Sequence, residues 1–320
     1  MASNAPPAAD PVIVVRDVVK RFGSLTAVDG VSFTVKKGEV FGILGPNGAG
    51  KTTVLECIEG LQKPTTGSIQ VMGFDVQREA NRVKERIGIQ LQASAYFDFL
   101  TLREILRLFG RFYARSVEPD KLLERVGLME KADTTVGKLS GGQKQRFTIA
   151  ATLVNDPDVV FLDEPTTGLD PKARHSLWDF VQLIHRDGHT VVLTTHYMEE
   201  AQALCQRVAI MDQGKIVAMD TPDNLVRSLP SPYDIRVRTD REAPLDLLRT
   251  MDGVVGVDRL EDGFVSIRSS EAARTLPAFL TWAQTAGVGL NRLEVKPATL
   301  EDVFLALTGR GLLPNEEEHK

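Results

Sequence analysis

The chain reads as an α/β protein built on a mixed sheet, followed by a smaller α+β domain. Three observations carry that reading. Short apolar runs alternate with helical patterns from residue 12 to about residue 218, the layout of a sheet covered by helices. Several of the later runs, such as Val159-Val160-Phe161-Leu162, are continuous rather than alternating, as in strands buried on both faces. A Pro-rich step, Leu229-Pro230-Ser231-Pro232, then separates this region from a βαββαβ pattern.

In order along the chain, residues 1–11 are rich in Ala and Pro, with neither a basic start nor an apolar core, and read as a disordered leader. The main domain spans 12–228, with strands expected at 12–16, 32–35, 40–44, 68–71, 87–91, 159–162, 190–194 and 207–211. Helices are expected between them at 53–61, 171–186 and 198–204. Between about residues 96 and 156 the strands cease, and helices at 102–113, 119–126 and 142–154 form a helical insertion. Residues 229–232 are the expected linker. Beyond them, strand 234–238, helix 244–251, strands 254–260 and 264–268, helix 271–286 and strand 290–295 suggest a ferredoxin-like sandwich over 233–310. A short helix at 300–307 and a charged tail at 311–320 end the chain.

Composition narrows the function. A hydrophobic fraction of 42% and a charged fraction of 25% over 320 residues are those of an ordinary globular protein with ample length for a core. The net charge of −5 gives no bulk attraction for nucleic acid. No apolar run approaches the ~18 residues of a membrane span, so a membrane role must come from a partner chain. Cys57 and Cys205, far apart and both in helical patterns, read as buried reduced thiols.

Chemistry begins at Gly45-Pro46-Asn47-Gly48-Ala49-Gly50-Lys51-Thr52, a full G-x-x-x-x-G-K-[ST] loop between an apolar strand and a helix. Its glycines let the backbone turn successive N–H groups toward a polyphosphate, and the helix N-terminus adds positive charge. Lys51 is placed to reach the β- and γ-phosphates and Thr52 to ligate Mg²⁺. The run Val159-Val160-Phe161-Leu162 ends in Asp163-Glu164, which puts two acids at the carboxyl edge of the sheet, where open α/β folds bind ligands. Asp163 suits Mg²⁺ and Glu164 the polarisation of an attacking water. Leu139-Ser140-Gly141-Gly142-Gln143 opens another helix, capped by Ser140, and forms a second anion site without a lysine. A single chain cannot readily wrap both sites around one nucleotide.

Loop, Leu-Ser-Gly-Gly-Gln run and Asp-Glu strand, in that order with helices between, resemble the ATP-binding subunit of an ABC transporter over about residues 12–226. The resemblance implies an ABC-type P-loop NTPase that hydrolyses ATP with Mg²⁺. It places Gly45 to Thr52 and Thr53 on ATP, Phe22 stacked on adenine, and Gln92 at the metal, with Gln90 on the same strand face as the alternative. His196 matches the switch histidine and Asp170 the D-loop acid, although Thr167-Gly168 replaces the commoner Ser-Ala. Leu139, Ser140, Gly141, Gly142 and Gln143 would close over the ATP of a second copy, making an ATP-dependent homodimer. The ending, Lys296 through Gly309, resembles the daunorubicin/doxorubicin-resistance type of export ATPase. That type implies a separately encoded ABC-2 permease, a peripheral place on the cytoplasmic face of the cell membrane, and no nucleic acid. An importer ATPase with a sensing C-terminal domain and a non-transport ABC ATPase stay open at this level.

Overall fold

The computed structural model describes residues 11–90 and 96–309, which form two compact units parting between Asp220 and Thr221. In the first unit, β1 (Pro11–Phe22) and β2 (Leu25–Lys36) precede β3 (Val40–Leu44), α1 (Lys51–Glu59), β4 (Thr66–Val71), β5 (Phe74–Asp75), α2 (Ala80–Lys84) and β6 (Ile87–Gln90). Helices α3 (Leu102–Gly110), α4 (Pro119–Arg125) and α5 (Gly141–Thr152) follow. The unit closes with β7 (Val159–Asp163), α6 (Pro171–Arg186), β8 (Thr190–Thr195), α7 (Met198–Leu204), β9 (Arg207–Asp212) and β10 (Lys215–Asp220).

Two sheets result. One is antiparallel, in the order β2-β1-β4-β5. The other runs β10-β9-β3-β8-β7-β6, parallel throughout except for β10. Strands β3, β7 and β8 are buried at every position, which explains their unbroken apolar or Thr-containing sequences. The core joins both sheets to α1: Ile13 and Val35 from one, Ile43, Phe161 and Val192 from the other, Val54, Leu55 and Ile58 from the helix. Burying each such side chain contributes roughly 1.5–3 kcal/mol. Phe33 and Phe41 stack with ring centres 5.2 Å apart. The parallel order brings the carboxyl ends of β3, β6, β7 and β8 to one edge, where the phosphate loop and the Asp163-Glu164 pair meet.

Helices α3 and α5 each start from a capping box, Thr101 with Glu104 and Ser140 with Gln143. Among the described residues no helix is long and apolar enough to cross a membrane.

Several expectations need correction. Pro11, placed in the leader, opens β1; residues 1–10 and the tail from residue 310 lie outside the described residues. The first hairpin is 12 residues on each side, longer than expected, because β-bulges between Val15 and Lys20 interrupt the alternation that would reveal it. Edge strand β10 was not expected; it pairs only with β9, and four of its six residues are exposed. The division between units falls at Asp220/Thr221 rather than at residues 229–232. Helix α8 (Pro222–Arg227) thus belongs to the second unit, where it lies against α11 (Leu300–Thr308).

The second unit continues with β11 (Tyr233–Thr239), α9 (Leu245–Arg249), β12 (Val254–Arg259), β13 (Val265–Ser269), α10 (Ala272–Thr285) and β14 (Leu290–Pro297). Its antiparallel sheet has the order β12-β13-β11-β14. Ile235, Val237, Leu248, Ile267 and Phe279 form its core. On α11, Leu300, Val303 and Phe304 are buried whereas Leu307 is exposed.

One buried group gives the first unit a pH dependence. Glu59, at the end of α1, is 3% exposed and its Oε1 has no hydrogen-bond partner. Burial, then the charges of Asp163 and Glu56, push its pKa from 4.5 up to about 8. Between those values the folded chain holds a proton that the unfolded chain has released, so stability falls as pH rises through this window. The slope from this group is at most about 1.4 kcal/mol per pH unit. Glu59→Gln should remove it. Thermal unfolding by circular dichroism is expected to show Tm declining from about pH 5 to about pH 8 in the wild type and much less in the variant.

Candidate functional site

The phosphate loop runs from the end of β3 into α1 and is held tightly from behind. A Cβ on Gly45 (φ +156°) would lie 2.2 Å from the Met211 carbonyl oxygen, and one on Gly50 (φ +100°) 2.3 Å from that of Ala27. Both positions therefore require glycine. Ala49 is buried, so Gly45, Pro46 and Ala49 build the loop while Asn47, Gly48 and Gly50 face the cleft in front of it. Lys51, 4% exposed, folds back along the loop: Nζ donates to the carbonyls of Gly45 at 2.9 Å and Pro46 at 3.1 Å. The same ammonium lies 3.2 Å from Glu164 Oε1.

Asp163 and Glu164 stand where β7 meets this loop. The Thr52 hydroxyl donates to Asp163 at 3.1 and 3.2 Å, and the Thr194 hydroxyl donates to Asp163 Oδ1. Burial pushes the Asp163 carboxyl above its ordinary range despite these donors. Burial pushes Glu164 the same way, but Lys51, His196 and Thr167 outweigh it and hold Glu164 below the usual carboxylate range. Glu164 is thus held as a carboxylate by the cation beside it. Its backbone is left-handed (φ +46°), a conformation costing roughly 1–3 kcal/mol. Two bonds from its N–H, to the Thr194 carbonyl and hydroxyl at 3.2 and 2.9 Å, retain it there. The Thr167 hydroxyl donates to Oε2 at 3.1 Å. His196 Nδ1 approaches the same oxygen at 3.2 Å, without hydrogen-bond alignment.

Lys51, Thr52, Asp163, Glu164 and Thr167 line one cleft of about 920 Å³, whereas His196 is not among its lining residues and approaches it only through Glu164. Lys51, Thr52, Thr53, Asp163 and Glu164 are at its floor, and Gln90 enters from the end of β6. Gln90 is 4% exposed and its Oε1 has no partner; Gln92 lies outside the described residues. Phe22 is on the cleft wall at the tip of the first hairpin, 44% exposed, with the Lys20 ammonium 4.7 Å from its ring centre. Leu25, Thr26, Ala27, Gln145, Gln213 and Gly214 complete the lining and were missed in the sequence. Gln145 sits two residues past the Leu-Ser-Gly-Gly-Gln run, a usable signal, whereas Gln213-Gly214 reads as an ordinary surface turn.

The Ser140 segment lies elsewhere. Ser140, Gly141, Gly142 and Gln143 line a second cleft of about 360 Å³ together with Gly168, Leu169 and Asp170. The two clefts share no lining residue. Ser140 Oγ accepts from the Gln143 N–H at 3.3 Å, and the Gln143 side chain accepts from the Ser140 N–H at 3.0 Å. Leu139 is buried beneath the cap. Asp170 caps α6, accepting from the Ala173 N–H at 2.9 Å. The first cleft therefore offers a cation, backbone donors, an ionised base and a hard-oxygen pair, while the second offers a helix N-terminus and an acidic turn.

Comparison with known proteins fits this arrangement. A family model described as ABC transporter matches residues 28–167, and one for the C-terminal domain of ABC transporter domain-containing proteins matches residues 234–299. The chain is 40% identical over 306 residues to Nod factor export ATP-binding protein I of Burkholderia lata, covering 92% of this chain and 96% of that protein. It is 39% identical over 309 residues to a daunorubicin resistance ATP-binding protein of Streptomyces coeruleorubidus, covering 94% of this chain and 97% of that one. Among solved structures, an ATP-binding subunit of an ABC transporter has a TM-score of 0.61 at 27% identity, over 68% of this chain and 92% of that one. A dimeric ATP-binding cassette in a post-hydrolysis state with ADP and phosphate has a TM-score of 0.59 at 28% identity, over 65% of this chain and 98% of that one. With a complete phosphate loop facing an ionised carboxylate, the chain belongs to the ATP-hydrolysing, ATP-binding subunits of ABC transporters.

Proposed function

We propose that this subunit powers export of amphipathic molecules by closing, as an ATP-dependent homodimer, beneath a separately encoded ABC-2 permease on the cytoplasmic face of the membrane. The observation that carries the dimer is the separation of the two clefts. Ser140 and the Gly141 and Gly142 amides line a cleft apart from Lys51, so one nucleotide seated on Lys51 leaves them without a phosphate. A second copy supplies one. Export is favoured over import because the likeness to export-named relatives covers 92% and 94% of the chain, second unit included.

Within one site, the loop amides, Lys51 and Thr53 hold the phosphates, and Phe22 stacks on adenine. Lys51 now satisfies itself on two loop carbonyls and on Glu164. Phosphates draw it away, which releases Glu164 to take a proton from the attacking water as general base. His196 meets the γ-phosphate from the end of β8. Thr52 Oγ1 and Asp163, whose oxygens lie 3.1–3.2 Å apart, would hold Mg²⁺, with Gln92 as a further ligand. The metal, when bound, neutralises charge developing on the phosphate oxygens. Asp170 and the Ser140 cap of the other copy complete the enclosure, which opens again after hydrolysis.

Two variants test the roles. Glu164→Gln should lower ATP turnover by about 10²–10⁴ while ATP and Mg²⁺ still bind. Size-exclusion chromatography should then find the variant dimeric with ATP and monomeric with ADP. Near-normal turnover would remove Glu164 from the base role. Lys51→Ala should weaken ATP binding itself by about 10- to 100-fold, since a charge-assisted partner of the phosphates is lost. Titration with a fluorescent nucleotide measures it.

A further inference from the structure

Among the described residues, six buried side-chain polar atoms have no hydrogen-bond partner, and four belong to one neighbourhood behind the cleft: Arg174 Nε, Trp178 Nε1, His196 Nδ1 and Glu200 Oε1. At its centre is Glu200 on α7, 0% exposed. Its Oε2 accepts from the Thr166 hydroxyl at 3.2 Å, in the loop directly after Asp163-Glu164. Thr195, immediately before His196, and Trp178 turn polar groups toward the same carboxyl, and Arg174 adds positive charge. The Arg174 guanidinium lies 4.3 Å above the Tyr197 ring, and that ring is 4.1 Å from the His196 ring, centre to centre. Arg174 and Trp178 belong to α6, which starts from the Asp170 cap.

One buried carboxyl therefore meets three segments: the loop past the acidic strand end, the His196 end of β8, and α6 behind Asp170. A carboxyl serving only the core would be expected to have its partners in place. Here burial is complete, and while Thr166 serves Oε2, Oε1 and the nearby Arg174 Nε and Trp178 Nε1 lack a well-aligned hydrogen bond. Unpaired buried groups favour any small shift that pairs them, so the cluster is suited to two arrangements.

We propose that Glu200 is a positioning residue that couples the His196 end of β8 to α6, so that contact of His196 with nucleotide and presentation of Asp170 to the second copy occur together. This rests on the roles proposed above for His196 and Asp170. Glu200 touches no substrate.

The test uses the full chain, with kcat, KM and nucleotide affinity measured for Glu200→Ala and Glu200→Gln. We expect Glu200→Ala to lower kcat by about 3- to 30-fold, with ATP affinity within about twofold of wild type. Glu200→Gln, which keeps the shape and one acceptor, should recover most of the loss. In the His196→Ala background, Glu200→Ala should cost little more, because the coupled path is already gone. Thr166→Val and Trp178→Phe each remove one donor with little change of volume and should lower kcat in the same direction, which keeps the question answerable if Glu200→Ala fails to fold. Wild-type kcat in the Glu200 and donor variants, or full additivity with His196→Ala, overturns the coupling. Normal turnover of Glu164→Gln would instead overturn the catalytic reading itself, so the two failures are distinguishable.

Discussion

The contact on which the rest of the first unit depends is the Lys51 ammonium buried against its own loop and against Glu164. A nearly inaccessible cation needs full compensation, and here two carbonyls and one carboxylate provide it. Those partners come from the loop after β3 and from the end of β7, which β8 holds apart by one strand in the parallel sheet. The sheet order, the glycines pressed against Met211 and Ala27, and the left-handed turn at Glu164 all serve to bring these groups together. The same geometry makes the site responsive. Under the proposed mechanism a polyphosphate competes for Lys51 and frees Glu164 as a base at the carboxyl edge of the sheet.

In the proposed reading, the second cleft is what would turn a nucleotide site into a motor. The N-termini of α5 and α6, capped by Ser140 and Asp170, are preorganised, yet neither cap residue lines the first cleft. Under the proposed dimer each copy lends these donors to the other, and only a γ-phosphate spans both. Dimer affinity then follows the nucleotide state through differential contacts, as a ligand-driven population shift requires.

Much of this was legible in the sequence. The bounds of β3, α6 and α7 coincide with those expected, because continuous apolar runs and the Asp170-Pro171 start are strong local signals. The phosphate loop and the Asp163-Glu164 strand end were readable because their chemistry is carried by contiguous residues. What escaped has physical reasons. Bulges between Val15 and Lys20 hid the length of the first hairpin. Strand β10 carries the apolar run Ile216-Val217-Ala218-Met219, yet as an edge strand it leaves four of its six residues exposed, so that run does not announce a buried strand. Helix α8 joins the second unit without any break in composition at Asp220. Glu200 beside Glu199 looks like helix surface, and only the fold buries it. Gln213 and Gly214 reach the cleft through a turn that says nothing locally about nucleotide.

Specific ATPase activity measured against protein concentration tests the central claim, that one nucleotide needs two chains, most directly. The composite site predicts that activity per subunit falls as the protein is diluted below the dimer dissociation range, in step with the dimer fraction seen by sizing. Constant activity per subunit, down to concentrations at which only monomer remains in the presence of ATP, would contradict it.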